Sequence, residues 1–288
     1  MNVLQKLRRR VLKDASGPKH KATPLRAQVT EDNFYPLTPG HIAQPPGFVG
    51  VGCGGSGSSW LMACLDEHPQ VFSNRLREKE LHYFDHLHHR QISAEQIRLY
   101  RRMFAAPEGG ISGEWSPNYL THPGAVAALC EAAPEARFLV AIRNPVDRYL
   151  SSFNRECRKW PARLKVTEDN MRLMIESYIV FGNVTSSARV SDALADLIEI
   201  AGRDRVMCVQ FEACVADPHK SMEQILSFLD LDPAFVPPSL TKQVNAQPRD
   251  TTLDAEGRAY LARMFRRDVD RLKTILPEFD WSLWSDFD

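Results

Sequence analysis

Two short stretches carry residue types that could do chemistry. The first is Gly52-Cys53-Gly54-Gly55-Ser56-Gly57-Ser58-Ser59, set between an apolar run at Phe48-Val49-Gly50-Val51 and a helical stripe through Trp60, Leu61, Cys64 and Leu65. A strand that ends in a glycine loop and opens a helix turns backbone N–H groups and the positive end of the helix dipole toward an anion, and the Ser58 and Ser59 hydroxyls add donors. The spacing is that of a Walker loop, but Ser58 stands where that motif requires lysine, which disfavours an ATPase or nucleotide kinase. A glycine turn needed for packing alone is the plainer alternative. The second stretch is Glu78-Lys79-Glu80-Leu81-His82, which places a carboxylate, an ammonium and an imidazole side by side. Such groups accept a proton and steady developing negative charge. A solvated helix start decorated with charge pairs is the alternative there.

The elements that must position these residues are legible around them. Arg137-Phe138-Leu139-Val140-Ala141-Ile142 is a continuous apolar strand, after which Arg143 stands at the strand end and Pro145 suits the first turn of a helix running toward Arg158. Ser151 then falls about two turns into that helix. A guanidinium fork and a hydroxyl that face one pocket suit a phosphate monoester, whereas an ion pair between Arg143 and Asp147 is the structural alternative. A third strand is expected over Val206–Phe211, and helices over Ala125–Ala132, Met171–Val180, Val190–Ala201, Pro218–Leu229 and Ala255–Ile275. Short strands alternating with helices predict an α/β fold, a parallel sheet covered on both faces.

With these elements on the page, four segments resemble the sulfotransferase family in its own order. Residues 48 to 86 are similar to its opening, a phosphosulfate loop followed by a helix, His-Pro and a Lys-Glu-x-His-Phe-type segment. Gly113-Glu114-Trp115-Ser116-Pro117-Asn118-Tyr119 resembles its Gly-Glu-x-Ser-Pro-x-Tyr segment, and Ile142-Arg143-Asn144-Pro145 through Ser151 resembles its 3′-phosphate motif. Val209-Gln210-Phe211-Glu212 to Leu229 agrees more loosely. The resemblance implies a P-loop-like α/β domain that takes 3′-phosphoadenosine 5′-phosphosulfate as donor and delivers its sulfuryl group to a hydroxyl or amine of a small molecule or glycan. It implies donor binding by Gly54, Gly55, Ser56, Gly57, Ser58, Ser59, Trp60, Arg143 and Ser151, a base at Glu80, charge support from Lys79, and His82 as a reserve base. The sequence departs from the family at Gly55, where a lysine or arginine is usual before the Ser-Gly-Thr-Thr-like run. Either Lys79 or another basic segment supplies that charge, or turnover is poor and the protein is a binder of the nucleotide that has lost its chemistry.

Composition narrows the partners. The chain has 288 residues, 43% hydrophobic and 25% charged, with 36 basic and 36 acidic residues, so no global field favours nucleic acid. Six scattered cysteines without a Cys-x-x-Cys pair read as reduced thiols in a cytoplasmic protein, and no run approaches the ~20 apolar residues of a membrane span. His82, His86, His88 and His89 lack a completing Cys or carboxylate set, so no metal site is expected. Residues 1–46, basic in their first half and punctuated by prolines, are expected to form a mobile arm, with Val3, Leu4, Leu7 and Val11 at helical spacing, ahead of one domain over 47–288. Nothing in the sequence specifies an oligomeric state.

Overall fold

A computed structural model describes residues 29–85, 92–122, 124–157, 190–242 and 253–288. Along these residues the strands are β1 (Ile42–Ala43), β2 (Phe48–Gly52), β3 (Val71–Ser73), β4 (Ala105–Ala106), β5 (Ile111–Trp115), β6 (Arg137–Ile142) and β7 (Val206–Gln210). The helices are α1 (Ser58–Asp66), α2 (Ala94–Arg102), α3 (Ala125–Ala132), α4 (Pro145–Cys157), α5 (Val190–Ala201), α6 (Phe211–Ala216), α7 (Pro218–Phe228) and α8 (Ala255–Ile275).

Five strands form one parallel sheet in the order β3-β5-β2-β6-β7. Every residue of β2 is buried, as the continuous apolar run requires of a strand covered on both faces. Alternation then divides the side chains. Val49, Val51, Phe138, Val140 and Ile142 enter one core with α3, α5 and α8, while Phe48, Leu139 and Ala141 enter a second with α1 and α7. Gly50 is required by packing, because a Cβ there would lie 2.0 Å from the Trp115 ring.

This strand order positions the chemistry. From β2 the chain first builds β3 and β5 on one side and then crosses to β6 on the other, so the loops after β2 and β6 leave adjacent strand ends at a topological switch point. Gly52 pairs with Ala141 in the register, which puts the glycine loop beside Arg143.

The expected helices over 125–132, 190–201 and 255–275 form with those bounds, and the helix from Pro218 stops one residue earlier, at Phe228. The third strand ends at Gln210 because Phe211 already begins α6. The expected helix over 171–180 lies outside the described residues, as do residues 1–28 of the expected arm. From Val29 onward that arm is packed on the domain. Phe34 is buried under the Arg75 guanidinium, Tyr35 N–H donates to the Arg75 carbonyl, and β1 pairs antiparallel with β4. Among the described residues no helix is long and apolar enough to cross a membrane.

Gly50→Ala drives a methyl into the buried Trp115 ring, and we expect it to destabilise the fold by about 3 kcal/mol, the upper end for overpacking. Denaturant melts of the two proteins measure the difference.

Candidate functional site

The glycine loop adopts a conformation its composition permits. Gly52, Gly55 and Gly57 take φ of 113°, 87° and 86°, a region costly for residues with a Cβ. Gly57 caps α1 in the left-handed conformation, and its carbonyl accepts from the N–H groups of Trp60 and Leu61. Ser56 is fully buried, and its hydroxyl has no hydrogen-bond partner among the described residues.

Arg143 points into this loop, with Nη1 donating to the Gly55 carbonyl at 2.9 Å and the guanidinium lying 4.7 Å from the centre of the Phe211 ring. Asp147 is paired instead with Arg258 at 3.0 Å, so the Arg143–Asp147 alternative does not form. The Ser151 Oγ lies 3.7 Å from where a Gly55 Cβ would stand, so α4 brings the hydroxyl to the same loop residue. Distant elements hold the Arg143 turn. Asn144 N–H donates to Glu212 at 2.9 Å, Asn144 Nδ2 donates to Asp286 at 2.9 Å, and Asp286 is gripped by Arg258. Burial raises the Glu212 carboxyl above its ordinary range despite donors from Trp284 and Asn144.

The Lys79 segment reaches the loop from the far side of β5. Buried Asn74 braces the turn after β3, its side chain donating to the Glu78 carbonyl at 2.7 Å and accepting from Leu76 N–H. Lys79 Nζ then donates to Ser58 Oγ at 3.1 Å, to Ser59 Oγ at 3.3 Å and to Glu80 Oε1 at 2.8 Å. Lys79 thus places an ammonium at the loop, whose residue 55 is a glycine.

Glu80 belongs to a chain of three groups. His82 bridges Glu80 at 3.2 Å through Nε2 and Asp85 at 2.5 Å through Nδ1. Asp85 first, and Glu80 second, raise the His82 imidazole to about 9, so at neutral pH it is an imidazolium. Hydrogen bonds from His82 first and from Lys79 hold the Glu80 carboxyl down at about 2. The arrangement therefore sets an ionised carboxylate between an ammonium and an imidazolium.

Of the residues singled out in the sequence, the structure brings Gly54 to Ser59, Lys79, Glu80, His82, Arg143 and Ser151 to one end of the sheet. The Trp60 side chain departs from them: its Nε1 donates to the Leu240 carbonyl, and its ring packs on the second core. Asp85 went unrecognised, although a carboxylate three residues after a histidine was a readable partner. Among the described residues no group of three or more His, Cys, Asp or Glu could hold a metal ion, and His86, His88 and His89 lie outside them.

A family model described as the sulfotransferase family matches residues 82–235, which includes Arg143 and Ser151 and begins beyond the glycine loop. The chain is 27% identical over 113 residues to the membrane-associated sulfotransferase kil1 of Dictyostelium discoideum, covering 38% of this chain and 22% of that protein. It is 28% identical over 123 residues to heparan sulfate glucosamine 3-O-sulfotransferase 6 of Homo sapiens, covering 43% and 34%. The chain thus spans about a third or less of the length of these curated relatives. A sulfotransferase crystal structure from Alicyclobacillus acidocaldarius superposes with a TM-score of 0.63 at 23% identity, covering 83% of this chain and 98% of that one, which establishes the shared fold.

A raised histidine pKa contributes stability that is complete below its ordinary value of 6.5 and is lost as pH rises through about 9. NMR titration of the His82 ring is expected to show a midpoint near 9, and Asp85→Asn, which removes the larger cause, to lower it. An unshifted midpoint in that variant contradicts the pairing.

Proposed function

We propose that this chain, which belongs to the sulfotransferase family, moves a sulfuryl group from 3′-phosphoadenosine 5′-phosphosulfate to a hydroxyl or amine acceptor. The single observation that carries the reading is the Lys79 ammonium, placed within hydrogen-bond reach of Ser58, Ser59 and Glu80 at once. One cation so placed couples an anion-binding loop to a proton acceptor. Arg143 and Ser151, both at Gly55, are the groups we assign to the 3′-phosphate.

In this mechanism the acceptor oxygen or nitrogen attacks sulfur in line, and its bond to sulfur forms as the bond from sulfur to the 5′-phosphate oxygen breaks. The acceptor proton passes to the Glu80 carboxylate. The charge that develops on the departing 5′-phosphate is met by Lys79, by the Ser58 and Ser59 hydroxyls and by the first-turn N–H groups of α1. The His82 imidazolium holds Glu80 in place and stabilises it as a carboxylate. A carbohydrate is the acceptor class to test first, because one relative is named a heparan sulfate glucosamine 3-O-sulfotransferase.

Glu80→Gln is expected to lower transfer roughly 10²- to 10⁴-fold with nucleotide binding retained in calorimetry. Lys79→Met is expected to cost roughly 10²- to 10³-fold in kcat, the usual effect of removing one preorganised contact to developing charge. Wild-type activity of Glu80→Gln on a sulfated acceptor rejects the base assignment. Nucleotide binding without transfer across hydroxyl and amine acceptors identifies a binder instead of an enzyme.

The pH profile separates the two candidate bases. With Glu80 as base and His82 as imidazolium, transfer is level across neutral pH and falls as pH rises through about 9. A rise in rate as pH passes through about 9, where His82 loses its proton, assigns the acceptor role to a neutral His82 and overturns the proposal.

A further inference from the structure

His82 has φ of 49°, a left-handed backbone that residues with a Cβ seldom adopt. Such a conformation costs on the order of 1–3 kcal/mol and persists where surrounding contacts over-determine it. Those contacts come from one place. The N–H groups of three consecutive residues, Leu81, His82 and Tyr83, donate respectively to the Glu114 carboxylate at 3.1 Å, the Ser116 hydroxyl at 3.0 Å and the Tyr119 hydroxyl at 2.6 Å. Just upstream, Trp115 N–H donates to the Lys79 carbonyl at 2.9 Å.

The three acceptors are themselves tied together at Glu114. Its Oε2 accepts from Ser116 at 2.5 Å, and its Oε1 accepts from Tyr100 at 2.8 Å and from Tyr119 at 3.3 Å. Glu114 is fully buried, and all four donors converge on its two oxygens. Four N–H and O–H groups directed at two oxygens stabilise a carboxylate more than an acid, whose proton would turn one hydroxyl round. The ionised form is therefore the one that fits. Burial nevertheless lifts the group to about 7, with Ser116, Tyr100 and Leu81 pulling the other way.

We propose that Glu114, Ser116 and Tyr119 are positioning residues: a buried template that grips consecutive backbone N–H groups and so aims the Glu80 and His82 side chains at the glycine loop. The side-chain hydrogen bonds of the three run to residues 81–83, to Tyr100 and to one another, so they act through the 81–83 backbone. The inference rests on the roles proposed for Glu80 and His82, but its test reads the histidine directly and needs no acceptor.

The test is NMR titration of His82 in the full chain, with calorimetry of 3′-phosphoadenosine 5′-phosphate on the same samples. The groups that act on the ring are Glu80 and Asp85 on its own segment and, through its charge, Glu114 from β5. Ser116→Ala and Tyr119→Phe each remove one grip and leave the Glu80–His82–Asp85 side chains intact. We expect the His82 midpoint to fall from about 9 toward 6.5 in both, with nucleotide affinity unchanged. Glu114→Gln keeps an oxygen for Leu81 N–H and is expected to shift the midpoint less than Glu114→Ala. If the midpoint in folded Ser116→Ala and Tyr119→Phe matches wild type, the template does not aim the ring and the proposal fails. Absence of nucleotide binding in wild type, with the midpoint shifts as expected, rejects the sulfuryl-transfer reading and leaves the template standing.

Discussion

The contact on which the arrangement depends is Lys79 Nζ with the hydroxyls of Ser58 and Ser59. Gly55 takes φ of 87°, so a lysine built there would have to adopt a strained left-handed backbone. A loop of this shape therefore has its cation brought to it from elsewhere in the fold. Residue 79 does so because β3, the Asn74-braced turn and the end of β5 deliver that segment to the start of α1. The same ammonium touches Glu80, so the groups proposed to bind the anion and to accept the proton share one charge. An uncompensated ammonium at that point would repel any second cation. Paired with a carboxylate and two hydroxyls, it is satisfied whether or not an anion is present.

The opposite side of the loop is set by elements remote in sequence. Arg143 ends β6, but its direction is governed by the Asn144 turn, which Glu212 of α6 and Asp286 near the C-terminus hold from two sides. Arg258 of α8 binds both Asp286 and Asp147, so the C-terminal turn, α8 and α4 are locked together behind the guanidinium. Trp284 and Phe287 bury this junction. A strand-end arginine with fewer supports would lie on the surface among exposed ion pairs, which contribute little.

What could be read in advance follows from where the signal is local. The stripes of α3, α5 and α8 and the apolar runs of β2 and β6 are set by burial on one face or on both, and their bounds match the sequence pattern except that β2 runs one residue further, through Gly52. The strand β5 was seen only as the segment Gly113–Tyr119, because its glycine and buried Glu114 break the apolar pattern. Helix α2 went unread although Ser93 and Gln96 form a capping box at its start, a signal the sequence did contain. At the site, the loop, Lys79, Glu80, His82, Arg143 and Ser151 were legible as residue types. The charge states were not: His82 becomes an imidazolium only because Asp85 and Glu80 flank it in space, and this depends on a left-handed backbone that no spacing reveals. The resemblance assigns Trp60 to the donor, and no local signal shows that its indole N–H is tied to Leu240, 180 positions away.

In the proposed reading the glycine loop and Arg143 hold the two phosphate ends of one adenosine nucleotide. It is tested most directly by calorimetry of wild type and Arg143→Ala with two ligands, 3′-phosphoadenosine 5′-phosphate and adenosine 5′-phosphate. The account predicts that Arg143→Ala weakens the first ligand roughly 10- to 100-fold, as loss of a charge-assisted contact should, and leaves the second almost unchanged. Equal losses for both ligands, or no binding of either by wild type, would contradict it.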